Sequence, residues 1–323
     1  MFDEWLSTIE ELKDNILIHH ENRSIILLKK IIDEVQFEHD NIIYKVSDII
    51  DNDAYEFISS LIHPYIFPDT PKNFIYQIIS NHLNDLDVDK LDYLCRDSYY
   101  LGVGNPFDLS RIIDHVQIID DNISFPEKTS YDIYKVYRTR YDLHKQYYNH
   151  KTVVCIEQMM KLILKHLDNI LNITVNIKLN NINHFINLID SSIFTTTVII
   201  EQLKPYNYLE IKNDIDIINN ILQAINNRKL YKCIHFSSYS VKQKINTKFI
   251  IKKILQCNKN TVLDNIIPII VKIGLIGGEK THPFDNLYFY DKNKVSKILS
   301  KNEISHLMGT FFQEKLLFII SSN

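Results

Sequence analysis

Asp89, Lys90, Tyr93 and Asp97 lie within the stretch DVDKLDYLCRDSYYLG. At about 3.6 residues per turn, these positions fall along one face of a helix. Leu91, Leu94 and Leu101 are the apolar positions opposite, so the spacing predicts an amphipathic helix with its polar stripe toward solvent or a cleft. Two acids, an amine and a phenol on one stripe suit contact with a metal or a phosphate; they equally suit a solvated face held by ordinary acid and base pairs. Arg140, His144, Tyr148 and Lys151 make a second stripe. A guanidinium forks to phosphate oxygens and a phenol stacks or donates, so this stripe is what a phosphate-bearing ligand needs, although by itself it also reads as a wet helix face.

Several elements must position these stripes. Apolar residues at helical spacing from Ile16 to Val35 follow a polar entry at His20-Glu21-Asn22-Arg23, which marks a helix start. Pro64, Pro68 and Pro71 break the chain in a turn-rich segment, and apolar periodicity resumes from Phe74 to Leu83. Gly102, Gly104, Asn105 and Pro106 end the first striped helix, after which Leu109, Ile112, Ile113 and Val116 predict another that projects Arg111. Residues 118–130 read as a loop or short strands around Pro126. Tyr131 to Leu167 read as one very long helix that carries the second stripe, and 178–228 as further helix. From Leu230 onward, short runs such as LYKCIHF, IIPIIVKIGLI and NLYFYD sit between polar turns. The expected architecture is mainly α: a helical core over 1–228 and a smaller α+β lobe over 229–323.

Composition narrows the field. A chain of 323 residues that is 45% hydrophobic and 24% charged buries a sizeable core and is expected to divide into two lobes. The first sixty residues contain neither Gly nor Pro, which favours long uninterrupted helices there. Cys95, Cys155, Cys233 and Cys257 are far apart and form no C-x-x-C pair, so a reducing, intracellular compartment (cytoplasm or nucleus) is expected. MFDEWLSTIEELKD is acidic and amphipathic, so no signal peptide is expected. The strongly apolar run IIPIIVKIGLIG is interrupted by Pro268 and Lys272 and falls short of the ~20 residues a spanning helix needs, so no membrane partner is expected. A net charge of −4 gives no global attraction to nucleic acid. His39-Asp40 lacks any metal-site context and reads as a surface pair; Gly277-Gly278-Glu279-Lys280 lacks phosphate-loop spacing and reads as a turn.

Taken together, the segments MFDEWL, HHENRSIILLKKII, DVDKLDYLCRDSYYLG with NPFDLSRII, YRTRYDLHKQYYNHK, NRKLYKC and GGEKTHPFDNLYFYDK resemble the HD-domain deoxynucleoside triphosphate triphosphohydrolases, especially the vertebrate form that also carries a sterile alpha motif. In that family a metal among two His and two Asp activates water, and attack on the α-phosphate of a dNTP gives a deoxynucleoside and inorganic triphosphate. The resemblance implies that Asp89 is a metal ligand, with a divalent or iron-type ion as cofactor. It implies that Lys90, Tyr93, Asp97, Arg140, His144 and Tyr148 bind the dNTP, and that His20 is the catalytic histidine supported by Asp3. It also implies that Arg111, Lys128, His150, Lys151, Arg228 and Lys232 hold an activating nucleotide where subunits of a homo-oligomer meet.

The chain departs from the pattern in one large respect. The family's other three metal ligands come from an H…HD signature that continues into a D-x-G-H-x-P-x-S-H run, and this chain begins with MFD where that run would end. The expectation is therefore an N-terminally truncated relative that keeps nucleotide-binding residues and, as written, does not hydrolyse. The alternatives are a nucleotide-binding or oligomer-forming pseudoenzyme, the C-terminal part of an active enzyme with an interrupted frame, and an interaction module for protein or single-stranded nucleic acid.

Overall fold

The computed structural model describes residues 1–63, 73–104, 106–183, 188–189, 191–203, 207–257, 265–277, 281–309 and 311–322. The proline turn at Pro64, Pro68 and Pro71, Asn105, and the Gly278-Glu279-Lys280 part of the glycine turn lie outside these residues. The fold is a helical, HD-like core with a smaller sheet-containing region. The chain forms two compact units: one from 1–55, 151–233 and 320–323, the other from 56–150 and 234–319.

In the first unit, helices Phe2–Ser7, His20–Glu34, Lys151–Leu171, Ile173–Lys178 and Tyr208–Asn226 carry the core. Trp5, Leu6, Leu12, Leu17 and Ile18 pack against Leu164, Ile173 and Ile177, while Ile163 and Leu167 pack on Ile218. All of these positions are apolar: Ile163, Leu164 and Leu167 recur at helical spacing on one helix, while Leu12, Leu17 and Ile18 come from short 3-10 turns that close over it. The expectation of long uninterrupted helices over the first sixty residues is corrected: strands β1 (Gln36–His39) and β2 (Ile42–Lys45) form an antiparallel hairpin. Its two-residue turn is Asp40-Asn41, both at positive φ (51° and 61°). Asp and Asn tolerate the left-handed region that a tight hairpin needs, so a turn forms without glycine. His39 and Asp40 sit exposed on that hairpin, as a surface pair.

In the second unit, strands β3 (Gln117–Ile119), β4 (Asn122–Pro126), β7 (Tyr288–Tyr290) and β8 (Ser296–Ile298) form one sheet in the order β3-β4-β7-β8. β4 and β7 run parallel, with Phe125 opposite Phe289. The segment expected as a loop or short strands at 118–130 is thus a hairpin, and β7 joins it from a distant part of the chain. Strands β5 (Lys232–Ser240), β6 (Ile266–Gly274) and β9 (Gln313–Ser321) form a second sheet in the order β5-β9-β6. The core unites Leu91, Leu94, Phe125, Ile133, Val136, Tyr137, Phe284, Leu287 and Phe289. The buried Tyr137 hydroxyl donates to the Asn84 carbonyl at 2.8 Å, and Asn84 in turn donates to the Asn286 carbonyl at 3.0 Å. These bonds satisfy polar groups that would otherwise cost free energy in the interior.

The very long helix expected over 131–167 is also corrected. An α-helix spans Ser130–Leu143, a π turn spans His144–Tyr148, and a separate α-helix begins at Lys151. The Asn149 amide donates to the His144 carbonyl at 3.0 Å, and the Asn149 side chain donates to the same oxygen at 2.8 Å. One asparagine thereby closes the wider turn and removes the carbonyl from the α ladder. The apolar periodicity continues on both sides of this break, which is why it gives no warning in the sequence.

Candidate functional site

The helix Val88–Tyr100 is started by Asp87, whose side chain accepts from the Lys90 amide at 2.9 Å. This N-cap fixes the first turn and sets the direction of the whole helix. Lys90 turns its ammonium back toward the cap, 3.0 Å from Asp85 and 3.9 Å from Asp87, and is only 7% exposed. Asp89, one residue earlier, is exposed. The single polar stripe expected from spacing is therefore divided: Asp89 faces solvent, Lys90 is drawn inward, and Tyr93 and Asp97 are half-buried. Leu91 and Leu94 are buried as expected, whereas Leu101 caps the helix and is 42% exposed.

Residues from the second stripe meet this helix. Arg140 lies close enough to the Tyr93 phenol for its charge to act on it, and its Nη1 donates to the Gly274 carbonyl at 2.7 Å. The Nε of Arg140 is buried and has no acceptor. The Tyr148 hydroxyl donates to the Asp97 carboxylate. His144 and Tyr148 sit edge to face, with ring centroids 4.9 Å apart. Lys90, Tyr93, Asp97, Arg140, His144 and Tyr148 thus form one contiguous cluster within the second unit.

The electrostatics derive from this packing. Burial, reinforced by the positive charges of Arg140 and Lys90, pulls His144 down to about 4, so its imidazole is neutral near pH 7. Burial pushes the Tyr93 phenol up to about 12, although Arg140 opposes that. Burial and the bond to Asp97 hold the Tyr148 phenol well above its ordinary range. The cluster offers a half-buried guanidinium whose buried Nε–H is unused, a buried ammonium, a neutral imidazole, the Tyr93 phenol, and the Tyr148 phenol whose proton goes to Asp97. That set of donors recognises an oxyanion.

Asp3 and His20 belong to the first unit and meet there. His20 Nδ1 lies 2.8 Å from the Asp3 carboxylate, and the His20 amide donates to the same oxygen at 3.0 Å. Arg23 grips the other Asp3 oxygen while its Nη1 donates to the carbonyls of Leu17 and Ile18 at 2.7 and 2.8 Å. Burial raises the Asp3 pKa, but the bonds from Arg23 and His20 outweigh it and hold the carboxyl below its ordinary value.

The remaining residues scatter more widely. Arg111 and Lys128 are neighbours in the second unit: Arg111 Nε pairs with Asp132 at 3.3 Å, and its Nη2 donates to the Lys128 carbonyl at 3.3 Å. His150 closes a segment of that unit, while Lys151, Arg228 and Lys232 belong to the first unit, all three exposed.

Among the described residues Asp89 has no converging set of metal-ligating side chains. Among the described residues, the group of three His, Cys, Asp or Glu side chains whose ligand atoms converge is Asp3, His20 and Glu21, and it does not include Asp89. In that trio an arginine already occupies Asp3. A hard cation needs several oxygen or nitrogen donors in fixed geometry, which neither place supplies from these residues.

Two participants escape the spacing argument. Asp85 reaches Lys90 and also accepts from the Gly277 amide at 3.1 Å. Its φ of 65° marks it out, and the sequence signal is an acid in the short N-D-L-D turn before the cap. Arg23 reads in the sequence only as part of a helix entry.

No family model matches the chain. The chain is 36% identical over 283 residues, 85% of its length, to an HD domain-containing protein of Acanthamoeba polyphaga mimivirus. It is 32% identical over 98% of its length to the deoxynucleoside triphosphate triphosphohydrolase SAMHD1 homolog of Dictyostelium discoideum. It is 27% identical over 80% of its length to the human deoxynucleoside triphosphate triphosphohydrolase SAMHD1. The chain spans 57% of the first two relatives and 43% of the human protein.

Proposed function

From the premise that this chain is a homologue of the SAMHD1-type HD-domain dNTP triphosphohydrolases, we propose that its second unit binds the triphosphate of a deoxynucleoside triphosphate. The observation that carries this reading is the proximity of Lys90, Tyr93, His144 and Tyr148 to Arg140, whose buried Nε–H lacks an acceptor. Arg140 forks to phosphate oxygens, Lys90 supplies a point charge, neutral His144 donates or accepts at one nitrogen, and Tyr93 remains a protonated donor, while the Tyr148 proton is committed to Asp97 and its ring lines the site. Asp97 orients Tyr148.

The reaction in this reading is that of the relatives, dNTP plus water giving deoxynucleoside and triphosphate. The family's chemistry implies a divalent metal, and the residues at Asp89 do not complete a site for one. The His20–Asp3 pair is suited to hold or move a proton at His20 Nδ1 or Nε2. Binding without turnover, as in a pseudoenzyme, is the alternative form of the proposal. Activation through Arg111, Lys128, His150, Lys151, Arg228 and Lys232, in a homo-oligomer, is a further part of the reading. No helix among the described residues is long and apolar enough to cross a membrane.

Calorimetric titration of the chain with dGTP tests the proposal, with Arg140→Ala alongside and triphosphate release from dGTP measured with Mg²⁺ or Mn²⁺. Saturable binding lost in Arg140→Ala supports it. Binding that is unchanged by the substitution removes the cluster from the function, and turnover abolished by Asp89→Ala would restore the metal site.

A further inference from the structure

Asp85 stands in a place where an L residue is strained. Its φ of 65° lies in the left-handed region, which costs a residue other than glycine free energy unless something holds it there. Two contacts hold it. One carboxylate oxygen sits 3.0 Å from the Lys90 ammonium, and the other accepts the Gly277 amide N–H at 3.1 Å. Gly277 in turn lies against Arg140: a Cβ built on it would stand 3.6 Å from the Arg140 Nη2. The carboxylate therefore bridges the two cation-bearing sides of the cluster, with Lys90 on one oxygen and the turn beside Arg140 on the other.

This is how a phosphoryl group would engage the same donors: one oxygen on an ammonium, another on a backbone N–H, beside a guanidinium. Lys90 is not left alone without Asp85, because Asp87 lies 3.9 Å away and is fixed as the helix cap. Asp87 therefore remains as a carboxylate near the buried ammonium when Asp85 is removed. The Asn81 and Asn84 side chains keep the turn itself folded, accepting from Leu83 and Leu86 amides at 3.1 and 3.0 Å.

We infer that the Asp85 carboxylate is an internal stand-in for the ligand's phosphoryl group, occupying Lys90 and the Gly277 N–H until an incoming oligophosphate displaces it. The inference rests on the reading of this cluster as a triphosphate site. Asp85 is a positioning residue in that reading: it sets how much binding free energy the ligand spends on displacing a competitor from Lys90 and the Gly277 N–H.

The test is titration of the chain with inorganic triphosphate at fixed ionic strength, for wild type, Asp85→Asn, Asp85→Gly and Arg140→Ala. Asp85→Asn removes the charge but keeps an acceptor for Gly277, and Asp85→Gly removes the side chain and relieves the left-handed strain, so one of the two remains informative if the other misfolds. Both are expected to bind about tenfold more tightly than wild type. A residue with only a structural role would give weaker binding on substitution, so the sign of the change separates the two roles. Binding that is unchanged or weaker in both Asp85 variants, while Arg140→Ala weakens it, overturns the inference and leaves the triphosphate site standing. Binding by the Asp85 variants and none by wild type supports the inference in its strongest form. No binding by wild type or either Asp85 variant overturns the site and the inference together.

Discussion

The Tyr148 hydroxyl donates to the Asp97 carboxylate, and through this bond the π turn of the second striped segment is fastened to the helix Val88–Tyr100. The five residues of that turn would otherwise be free to return to α geometry, since their backbone bonds are rearranged rather than added. A hydrogen bond to a charged acceptor contributes about 1.5–3 kcal/mol, less where solvent reaches it. Tyr148→Phe is therefore expected to lower stability by about 1–2 kcal/mol, read as a fall in the urea midpoint at unchanged slope. An unchanged midpoint would mean that the π turn is held by Asn149 alone.

His144 gives the site a pH dependence of known sign. Its folded value, about 4, lies below the ordinary histidine value of 6.5. Between those values the unfolded chain binds more protons than the folded one, so stability rises with pH across that window. The contribution is fully present above about 6.5 and is lost as pH falls toward 4. His282 is buried and depressed to about 4 as well, by burial and by Lys301, and adds a slope of the same sign. His144→Gln is expected to flatten the curve of unfolding free energy against pH between about 4 and 6.5, and the double variant with His282→Gln to flatten it further. Denaturant titrations at pH 7 and pH 5 measure this; an unaltered slope in His144→Gln would mean that its imidazole is solvated.

Much of this arrangement is legible in the sequence, for identifiable reasons. The helix entry at His20, the amphipathic helix carrying Tyr93 and Asp97, and the β character of the last hundred or so residues come from periodicity and breakers, which are local properties. Arg140, His144 and Tyr148 fall together because their spacing survives the change to π geometry. What is not legible is nonlocal or conformational. Lys90 turns inward because Asp85 and Asp87 lie behind it, which no helical wheel shows. The hairpin at Asp40-Asn41 and the role of Asp85 both depend on positive φ at residues other than glycine. The parallel pairing of Phe125 with Phe289 joins segments too distant for any window to connect.

Asp3 is the point on which the first unit's candidate pair depends. Its carboxyl titrates below the ordinary value of 3.8 because the bonds from Arg23 and His20 outweigh burial. A depressed acid contributes stability that is present above its unfolded value and lost as pH falls through the folded one. Asp3→Asn is expected to cost about 1–2 kcal/mol at pH 7 and progressively less below about pH 4. The same substitution should shift the His20 ring resonances in a ¹⁵N–¹H spectrum, because Nδ1 loses its charged partner. Stability loss without any change at His20 would show that Asp3 serves Arg23 and the Leu17 and Ile18 carbonyls rather than the imidazole.

Deeper in the first unit, His166 and Asp214 join the helices Lys151–Leu171 and Tyr208–Asn226, with His166 Nδ1 2.6 Å from the carboxylate and Asn169 donating to the same oxygen at 2.9 Å. Both side chains of the pair are mostly buried, at 17% and 15% exposure, so the bond is shielded from competing water. The apolar contacts of Ile163, Leu167 and Ile218 run alongside and would hold the helices in contact without it. The polar pair should then act as a register pin, contributing a modest but specific coupling. His166→Gln and Asp214→Asn are each expected to lower stability by about 1–2 kcal/mol, with a double-mutant coupling of about 1 kcal/mol. Strict additivity of the two losses in denaturant melts would show that each residue acts through other neighbours, Asn169 among them, and that the helices are aligned by their apolar faces alone.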